Sequence, residues 1–214
     1  VNKAIVVARQ VYEINPYAQV EIYPTGINDQ NIHEFVDDLD LLIEETDNPY
    51  VKIKSRFIAR NLKIPVIMAA DNGDGIIVDV ERYDLNKNYP ILHGFLGKMT
   101  PEDFKKILPR NLPKVIAKMA GAPIADIRML ESVVEVGKKI YSWPQLGTAA
   151  TMCGTILAYL ARNIMIGNLK IKSGRYQVNP NSIFEFGFNS KAALKKRDLI
   201  RKKILKNIGL QDEK

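Results

Sequence analysis

The sequence predicts an α/β fold, in which a mainly parallel sheet is flanked by helices. Helical and strand-like periodicities alternate along the first 84 residues, as in chains built from strand–helix–strand units. The strand-like runs are short and rich in valine and isoleucine, which is typical of strands buried on both faces. Apolar residues make up 46% of the 214 residues, and a chain of this length can bury about 70% of its unfolded surface in a core.

The elements of the first half follow from apolar spacing and from end signals. Ala4, Val7 and Val11 recur at helical spacing, and Pro16 ends that helix. Pro49 stands early in another helix, where its missing N–H leaves no hydrogen bond unmade. The predicted elements are, in order, a helix at 2–16, a strand at 18–24, a helix at 28–39, a strand at 40–45, a helix at 48–63, and strands at 64–70 and 73–84.

The second half is predicted as a crossover insert, a long helix, a hairpin and a basic tail. Residues 82–144 hold six prolines between short helical pieces, so we expect them to cross over the sheet. The apolar run 145–167 predicts a helix, and 168–180 predicts a hairpin with its turn at Ser173-Gly174. The predicted division is therefore an α/β domain at 1–189, which contains the insert, and a basic helical tail at 190–214.

Composition excludes several classes of protein. Cys153 is the only cysteine, so no intramolecular disulfide can form, and His33 and His93 lie far apart in sequence without zinc spacing. No apolar run approaches the roughly 18 residues that a membrane span needs, and the N-terminal stretch has no signal-peptide pattern. We therefore expect a reducing compartment, the cytoplasm, and no membrane partner.

The net charge of +7 lies mostly in the tail. From Ser190 onward nine Lys or Arg residues stand against three Asp or Glu residues, a net +6, which leaves +1 for the rest of the chain. An apolar stripe that includes Ile204, Leu205 and Ile208 runs along the same segment. The tail is either a helix packed on the body with its lysines in solvent, or a surface for nucleic acid or an anionic membrane.

Asp47 follows directly after a buried-type strand, and a helix begins immediately after it. In open parallel sheets ligands bind at the carboxyl ends of strands, where a carboxylate can hold Mg²⁺ bound to nucleotide phosphates. The alternative is that Thr46 or Asp47 caps the following helix, which is a common position for both residue types. Residue type and position alone leave both interpretations open.

Three further features each have two interpretations. Lys3, at the start of a helix, is either a solvated surface lysine or a cation aimed at phosphate charge. Cys153 lies among apolar residues, which favours a buried, inert thiol over a nucleophile. The glycines at 73 and 75 favour a tight turn, because the full calcium-loop pattern and its distal glutamate are missing.

Three stretches, taken together, resemble the ThiF/MoeB/HesA family, the adenylating enzymes related to the ubiquitin-activating enzymes. In that family a "K…A…INP…V" helix and strand lead to a "TDN" strand end, and an "IPxI" strand pair and a glycine-bearing helix follow. Here the corresponding pieces are "NKAIVVARQVYEINPYAQVEIYPTGINDQNIHEFVDDLDLLIEETDN", "IPVIMAADNGDGIIVDV" and "GTAATMCGTILAYLARNIMIG". The resemblance covers residues 2–80 and 145–168 and implies a Rossmann-like fold of the UBA/ThiF NAD/FAD-binding type.

The resemblance implies a function for each matched residue. Lys3 matches the lysine that contacts the ATP phosphates, and Asp47 matches the catalytic aspartate, which acts through Mg²⁺ and the phosphates. Gly26 and Ile27 fall where family members pass their backbone alongside adenine. The implied cofactors are ATP and Mg²⁺. The implied reaction attaches AMP to the C-terminal carboxylate of a ubiquitin-like or sulfur-carrier protein, and the implied assembly is a homodimer.

The chain also departs from the family pattern. The family's first strand, glycine-rich loop and ribose-binding acid precede the lysine helix, with which this chain begins, so we expect the C-terminal part of an adenylyltransferase. Because CxxC pairs are missing, no structural zinc is expected. Because residues 82–144 contain no cysteine, no thioester step is expected. The alternatives are a degenerate, non-catalytic ThiF-like binding or regulatory module and, as a less favoured hypothesis, a nucleic-acid binder that uses its basic tail.

Overall fold

A computed structural model describes residues 1–142 and 144–210 of the chain. The described residues fall into two compact units, one from Val1 to Asp37 and the other from Asp38 onward. No described helix combines the length and the apolar character that crossing a bilayer requires.

The first unit contains two helices, α1 (Lys3–Ile14) and α2 (Ile32–Val36). The Asn2 side chain caps α1, since its Oδ1 accepts a hydrogen bond from the Ala4 N–H at 2.9 Å. The predicted helix at 2–16 is therefore confirmed. The predicted strand at 18–24 is wrong within the described residues, because alternation of side chains does not by itself supply a partner strand.

The second unit is built on one four-stranded sheet with the strand order β1-β2-β3-β4. The strands are β1 (Leu42–Ile43), β2 (Val66–Asn72), β3 (Gly75–Glu81) and β4 (Gly174–Val178). The helices are α3 (Pro49–Leu62), α4 (Pro101–Lys105), α5 (Leu112–Ala120), α6 (Ile127–Glu135), α7 (Gly147–Met165), α8 (Asn181–Phe184) and α9 (Lys191–Asn207). The predicted α/β class is confirmed.

Strand pairing differs from the mainly parallel sheet that the sequence predicted. Among the described strands, β1 pairs with β2 in parallel, whereas the β2–β3 and β3–β4 pairs are antiparallel. The turn between β2 and β3 is only two residues long, Gly73 and Asp74, and so short a connection can join only antiparallel neighbours. The turn predicted at the two glycines is thereby confirmed.

Gly73 is required in that turn for two reasons. Its φ of +64° lies in the left-handed region, and a Cβ at this position would come within 2.6 Å of the Asp126 side chain. Asp126 in turn caps α6, since its Oδ1 accepts a hydrogen bond from the Arg128 N–H at 2.8 Å. The turn and the start of α6 therefore fit together only around a glycine.

The predicted hairpin at 168–180 is wrong. Only Gly174–Val178 forms a strand, β4, and its partner is β3, with Val78 opposite Tyr176. β3 is seven residues long and buried throughout, so its edge offers a longer ladder than the residues just before β4 could. The Ser173 hydroxyl accepts a hydrogen bond from the Arg82 N–H at 2.9 Å, which joins the start of β4 to the end of β3.

The two faces of the sheet differ in chemistry. On one face α7 packs on β2 and β3 through an apolar core, whose buried residues are Ile67, Ala69, Ile76, Val78, Val80, Ala149, Cys153, Leu157, Leu160 and Ile164. Because strand side chains alternate, Asp79 and Glu81 of β3 lie on the opposite face, and both are buried. The first face contributes apolar packing, and the second carries the charged groups described below.

The basic tail packs on α6. Leu205 of α9 is buried with Ala125 and Leu130, and Ile204 and Ile208 pack against the same small core. The Arg201 Nε donates a hydrogen bond to the Ala125 carbonyl at 2.8 Å. The apolar stripe predicted in the tail is thus a packing surface within the second unit, with most of the lysines exposed.

Candidate functional site

Strand β1 ends at the turn that carries Asp47. The parallel ladder with β2 continues past β1, since the Glu44 N–H donates to the Ile67 carbonyl at 2.9 Å. The Glu45 carboxylate then takes the place of a backbone partner and accepts a hydrogen bond from the Ala69 N–H at 2.8 Å. Burial raises the pKa of Glu45, although the Ala69 hydrogen bond opposes this shift. The end of β1 is therefore fixed to β2 up to two residues before Asp47.

A series of side-chain caps then fixes the backbone on both sides of Asp47. Glu44 Oε1 accepts a hydrogen bond from the Thr46 N–H at 2.8 Å, and Thr46 Oγ1 accepts one from the Asn48 N–H at 3.1 Å. Asn48 Oδ1 accepts hydrogen bonds from the N–H groups of Tyr50 and Val51, at 3.0 Å and 3.3 Å. Asn48 is thus the N-cap of α3.

Asp47 itself is exposed and forms no hydrogen bond or ion pair with the residues that the structure describes. The alternative that Thr46 or Asp47 caps the helix is wrong, because Asn48 is the cap. A carboxylate on a fixed turn at the carboxyl end of a strand is available for a ligand. The geometry is compatible with the predicted function of Asp47.

Four charged residues behind the Asp47 turn form a buried group that we call the Arg56 cluster: Glu44, Lys52, Arg56 and Glu81. Arg56 lies on α3, is completely buried, and contacts Glu44 through Nη1 and Glu81 through Nε, the latter at 2.6 Å. Lys52 Nζ lies 2.7 Å from the second oxygen of Glu44. Two carboxylates are therefore matched by two cations.

The charges in this cluster are stabilised by one another. Burial opposes ionisation of Glu44, but the charges of Arg56 and Lys52 outweigh it, so the pKa of the Glu44 carboxyl lies below its ordinary value. Burial also opposes the charge of Arg56, and the carboxylates of Glu81 and Glu44 outweigh it and raise the pKa of the guanidinium. Glu44 and Arg56 therefore both remain charged at neutral pH.

Glu81 connects the Arg56 cluster to the start of the segment predicted as an insert, residues 82–144, which in the structure lies between the antiparallel neighbours β3 and β4. Its Oε1 accepts hydrogen bonds from the Tyr83 hydroxyl and from the Leu92 N–H, both at 2.7 Å. Leu92 and His93 have φ values of 47° and 56°, in the left-handed region that non-glycine residues rarely occupy. The insert therefore begins with a turn that is held by a buried carboxylate.

Sequence reasoning missed the Arg56 cluster, although one signal was present. Arg56 stands three residues after Ile53 and three before Ala59, which places a guanidinium on the buried face of α3. A charged residue at such a position is rarely buried unless it is paired. Its partner Glu81 is 25 residues away in sequence, so the sequence alone does not show the pair.

A second charged group on the same face of the sheet, the Arg175 cluster, consists of Asp79, His93 and Arg175. Arg175 of β4 donates to both oxygens of Asp79 at 2.6 Å and to the Met119 carbonyl at 2.8 Å. His93 Nε2 lies 3.1 Å from Asp79 Oδ1. Burial opposes ionisation of Asp79, but Arg175 and His93 outweigh it and lower the pKa of its carboxyl to about 2. This cluster joins β3 and β4 to the insert.

The other predicted site residues, Lys3, Gly26 and Ile27, lie in the first unit. Lys3 is exposed in the first turn of α1 and has no ion-pair partner among the described residues. The Asn2 side chain donates a hydrogen bond to the Pro24 carbonyl at 2.7 Å, which ties the start of α1 to the turn before Gly26. The structure thus brings the segments of Lys3 and Gly26 together within this unit.

The Gly26 turn leaves the backbone of Ile27 available. Gly26 has a φ of +79°, its N–H donates to the Tyr23 carbonyl at 3.0 Å, and its carbonyl accepts a hydrogen bond from the Asn31 amide at 2.9 Å. Ile27 forms no backbone hydrogen bond with the described part of the chain.

Comparison with known proteins identifies the family. The model of the ThiF family matches residues 1–198. The chain belongs to the ThiF family. A similar protein is "Uncharacterized protein MT1398" of Mycobacterium tuberculosis (strain CDC 1551 / Oshkosh), which is 31% identical over 185 residues, or 86% of this chain. The chain spans about a quarter of the length of that relative, since the match covers 25% of it.

Membership of the ThiF family establishes the coarse features that the resemblance implied. The chain has a ThiF-like, adenylyltransferase-type fold of the general nucleotide-binding kind.

Cys153 lies on the apolar face of the sheet in this ThiF-family chain, away from both charged clusters. Its thiol is buried in the α7 core, and Sγ is 3.7 Å from Asp71 Oδ1. Burial and the nearby Asp71 carboxylate raise the pKa of the thiol to about 12. A thiol with this pKa is a poor nucleophile at neutral pH, so the inert interpretation is supported.

In the described residues, no three or more His, Cys, Asp or Glu side chains gather where they could hold a metal ion. Mg²⁺ bound together with a nucleotide does not need such a group, because phosphate oxygens and water complete its coordination around one or two carboxylates. The exposed carboxylate of Asp47 fits that requirement.

Proposed function

We propose that this chain supplies phosphate- and Mg²⁺-contacting residues to an ATP-dependent adenylyltransferase. Its substrate would be the C-terminal carboxylate of a ubiquitin-like or sulfur-carrier protein. The observation that carries the proposal is the Asp47 turn, in which caps from Glu44, Thr46 and Asn48 fix the backbone while the Asp47 carboxylate remains without a partner in the described chain. Family membership supports the same conclusion.

Each matched residue has a chemical task in this proposal. The Asp47 carboxylate binds Mg²⁺, which when bound neutralises phosphate charge. The Lys3 ammonium, in the first turn of α1, adds positive charge at the end of a helix that already favours anions. The Ile27 N–H and carbonyl, which form no backbone hydrogen bond within the described part of the chain, would hydrogen-bond the edge of adenine.

The proposed reaction forms one bond and breaks one. An oxygen of the carrier's C-terminal carboxylate bonds to the α-phosphorus of ATP, while the bond from that phosphorus to the bridging oxygen of the β-phosphate breaks and pyrophosphate leaves. Side chains of the protein need only position the reactants and neutralise charge. The buried thiol of Cys153 takes no part, and we propose adenylation without a thioester step.

The test is ATP–pyrophosphate exchange by the full natural protein, with a panel of ubiquitin-like proteins that have a free C-terminal carboxylate. We expect Asp47→Asn to lower the exchange rate at least about 100-fold, the scale of losing one electrostatic contact to the transition state. Asp40→Asn is the matched control, because Asp40 is an exposed aspartate before the other end of β1. Its exchange rate should equal that of the wild type.

Two results would contradict this proposal. Exchange that survives Asp47→Asn would remove Asp47 from the site. Nucleotide binding without exchange for any carrier in the panel would favour the alternative of a non-catalytic ThiF-like binding module.

A further inference from the structure

We propose that Glu44 and Arg56 are positioning residues for Asp47, which hold the Asp47 turn in the orientation that adenylation needs. This inference rests on the proposed function and adds two residues to its site. Neither residue needs to touch ATP or the carrier protein, because both act through the backbone of the turn.

Glu44 divides its two oxygens between the turn and helix α3. Oε1 accepts the hydrogen bond from the Thr46 N–H, one residue before Asp47. Oε2 is bound by Lys52 and Arg56, both on α3. With only 4% of its surface exposed, Glu44 has little room to adopt another rotamer. The carboxylate therefore fixes the turn relative to the helix that follows it.

Arg56 is itself held by residues outside the Asp47 turn. Its Nε contacts Glu81 on β3 at 2.6 Å, and its Nη1 also donates to the Lys52 carbonyl at 2.9 Å. Glu81 is itself held by the Tyr83 hydroxyl and the Leu92 N–H. Hydrogen bonds that hold the supporting residues in place keep a functional side chain within a fraction of an ångström of its productive position.

The need for a charged residue at position 44 follows from Arg56. A neutral glutamine could accept the Thr46 hydrogen bond, but it would leave two cations, Lys52 and Arg56, against the single carboxylate of Glu81. The Arg175 cluster differs: Arg175 donates to both oxygens of Asp79, and no backbone N–H of the described residues donates to that carboxylate. Glu44 instead shares its oxygens, and one of them reaches the residue next to Asp47.

The experiment compares Glu44→Gln with Arg175→Lys in the full natural protein, at a temperature where both variants are folded. We expect Glu44→Gln to raise the Mg²⁺ concentration for half-maximal ATP–pyrophosphate exchange several-fold and to lower the maximal rate about 10- to 100-fold, since misplacing a group by about 1 Å costs up to 10²-fold. Arg175→Lys should change neither quantity. Combining Glu44→Gln with Asp47→Asn should cause no loss beyond that of Asp47→Asn alone.

A second readout does not depend on activity. Amide hydrogen exchange of the backbone at 46–51 should become at least about tenfold faster in Glu44→Gln and stay unchanged in Arg175→Lys. Should Glu44→Gln fail to fold, Lys52→Met removes only the partly exposed partner of Glu44 and should give a smaller shift in the same direction.

The outcomes separate the two proposals. If the full protein catalyses exchange and Glu44→Gln matches the wild type in Mg²⁺ dependence and in hydrogen exchange, the inference is wrong and the proposed function stands. If no exchange activity exists but Glu44→Gln loosens residues 46–51, the proposed function fails while the ordering of the turn by Glu44 is upheld.

Discussion

Strand β3 presents apolar side chains to one face of the sheet and buried charged side chains to the other. On the α7 face, Ile76, Val78 and Val80 of β3 are buried among apolar side chains. On the other face, Asp79 and Glu81 are just as deeply buried but pair with Arg175 and Arg56. Replacing a buried ion pair by apolar residues of similar volume is often neutral or stabilising, so the charged face is the one whose pairs need an explanation beyond stability. Of its two clusters, only that of Arg56 reaches the Asp47 turn.

The largest expected effect on stability is that of Arg56→Leu. This substitution leaves Glu44 and Glu81 buried with one cation fewer, which should lower the free energy of unfolding by about 3–5 kcal/mol. Chemical denaturation measures it, with Arg175→Leu as the comparison. We expect Arg175→Leu to cost at least about 1 kcal/mol less, since it strands one carboxylate and His93 lies beside it. Equal losses would show that the two arginines contribute equally to the free energy of unfolding.

The Arg175 cluster should give the protein a measurable acid dependence. The pKa of Asp79 is about 2 in the folded chain, against an ordinary value of 3.8. Because the folded pKa is depressed, the stabilisation is present above pH 4 and is lost as the pH falls toward 2. The difference corresponds to about 2 kcal/mol.

Denaturation curves recorded at pH 5, 4, 3 and 2 measure this dependence. In Asp79→Asn the free energy of unfolding should fall less steeply between pH 4 and pH 2 than in the wild type. The same slope in both proteins would mean that other carboxyl groups account for the acid dependence.

Two tyrosine hydroxyls sharpen the comparison between the clusters. Tyr83 is fully buried and donates to Glu81, whereas Tyr89 is only partly buried and lies 2.9 Å from His93 Nδ1. Tyr83→Phe should cost about 1 kcal/mol, the usual net value of a buried hydrogen bond, and Tyr89→Phe less than that. Thermal or chemical denaturation of the two variants decides the order, and the reverse order would contradict the larger contribution expected of the buried Tyr83 hydroxyl.

The smallest effect is expected on the apolar face, in the chemical reactivity of the Cys153 thiol. With its pKa raised to about 12, the Cys153 thiol should not react measurably with iodoacetamide at pH 8 in the folded protein, and it should react fully after denaturation. Mass spectrometry of the two samples measures this. Rapid labelling of the folded protein would show that the core around α7 opens readily.

Local signals allowed much of the fold to be predicted from the sequence. Helices α1, α3 and α7 and the Gly73 turn follow from apolar spacing, capping residues and glycine, all of which act within a few residues. Strand partners are not local. The pairing of β4 with β3 joins segments about 100 residues apart, and the sequence suggested a hairpin there instead.

The candidate site was predicted only in part. Pro49 at the first position of α3 implies that Asn48 is the cap, since proline favours the position after the cap. That local signal is sufficient to exclude Thr46 and Asp47 as caps. The predicted functions of Lys3, Gly26, Ile27 and Asp47 came from the family resemblance alone. The Arg56 cluster depends on long-range pairing, so no local pattern predicts it.

The most direct test of the account is the Mg²⁺ dependence of ATP binding by the full natural protein, measured by calorimetry with Mg²⁺ and with EDTA. No carrier protein is needed. We expect the wild type and Asp40→Asn to bind ATP at least about tenfold more tightly with Mg²⁺, a difference of about 1.4 kcal/mol, and Asp47→Asn to lose that difference. If Asp47→Asn keeps the full Mg²⁺ dependence, Asp47 does not hold the metal and the central claim is wrong.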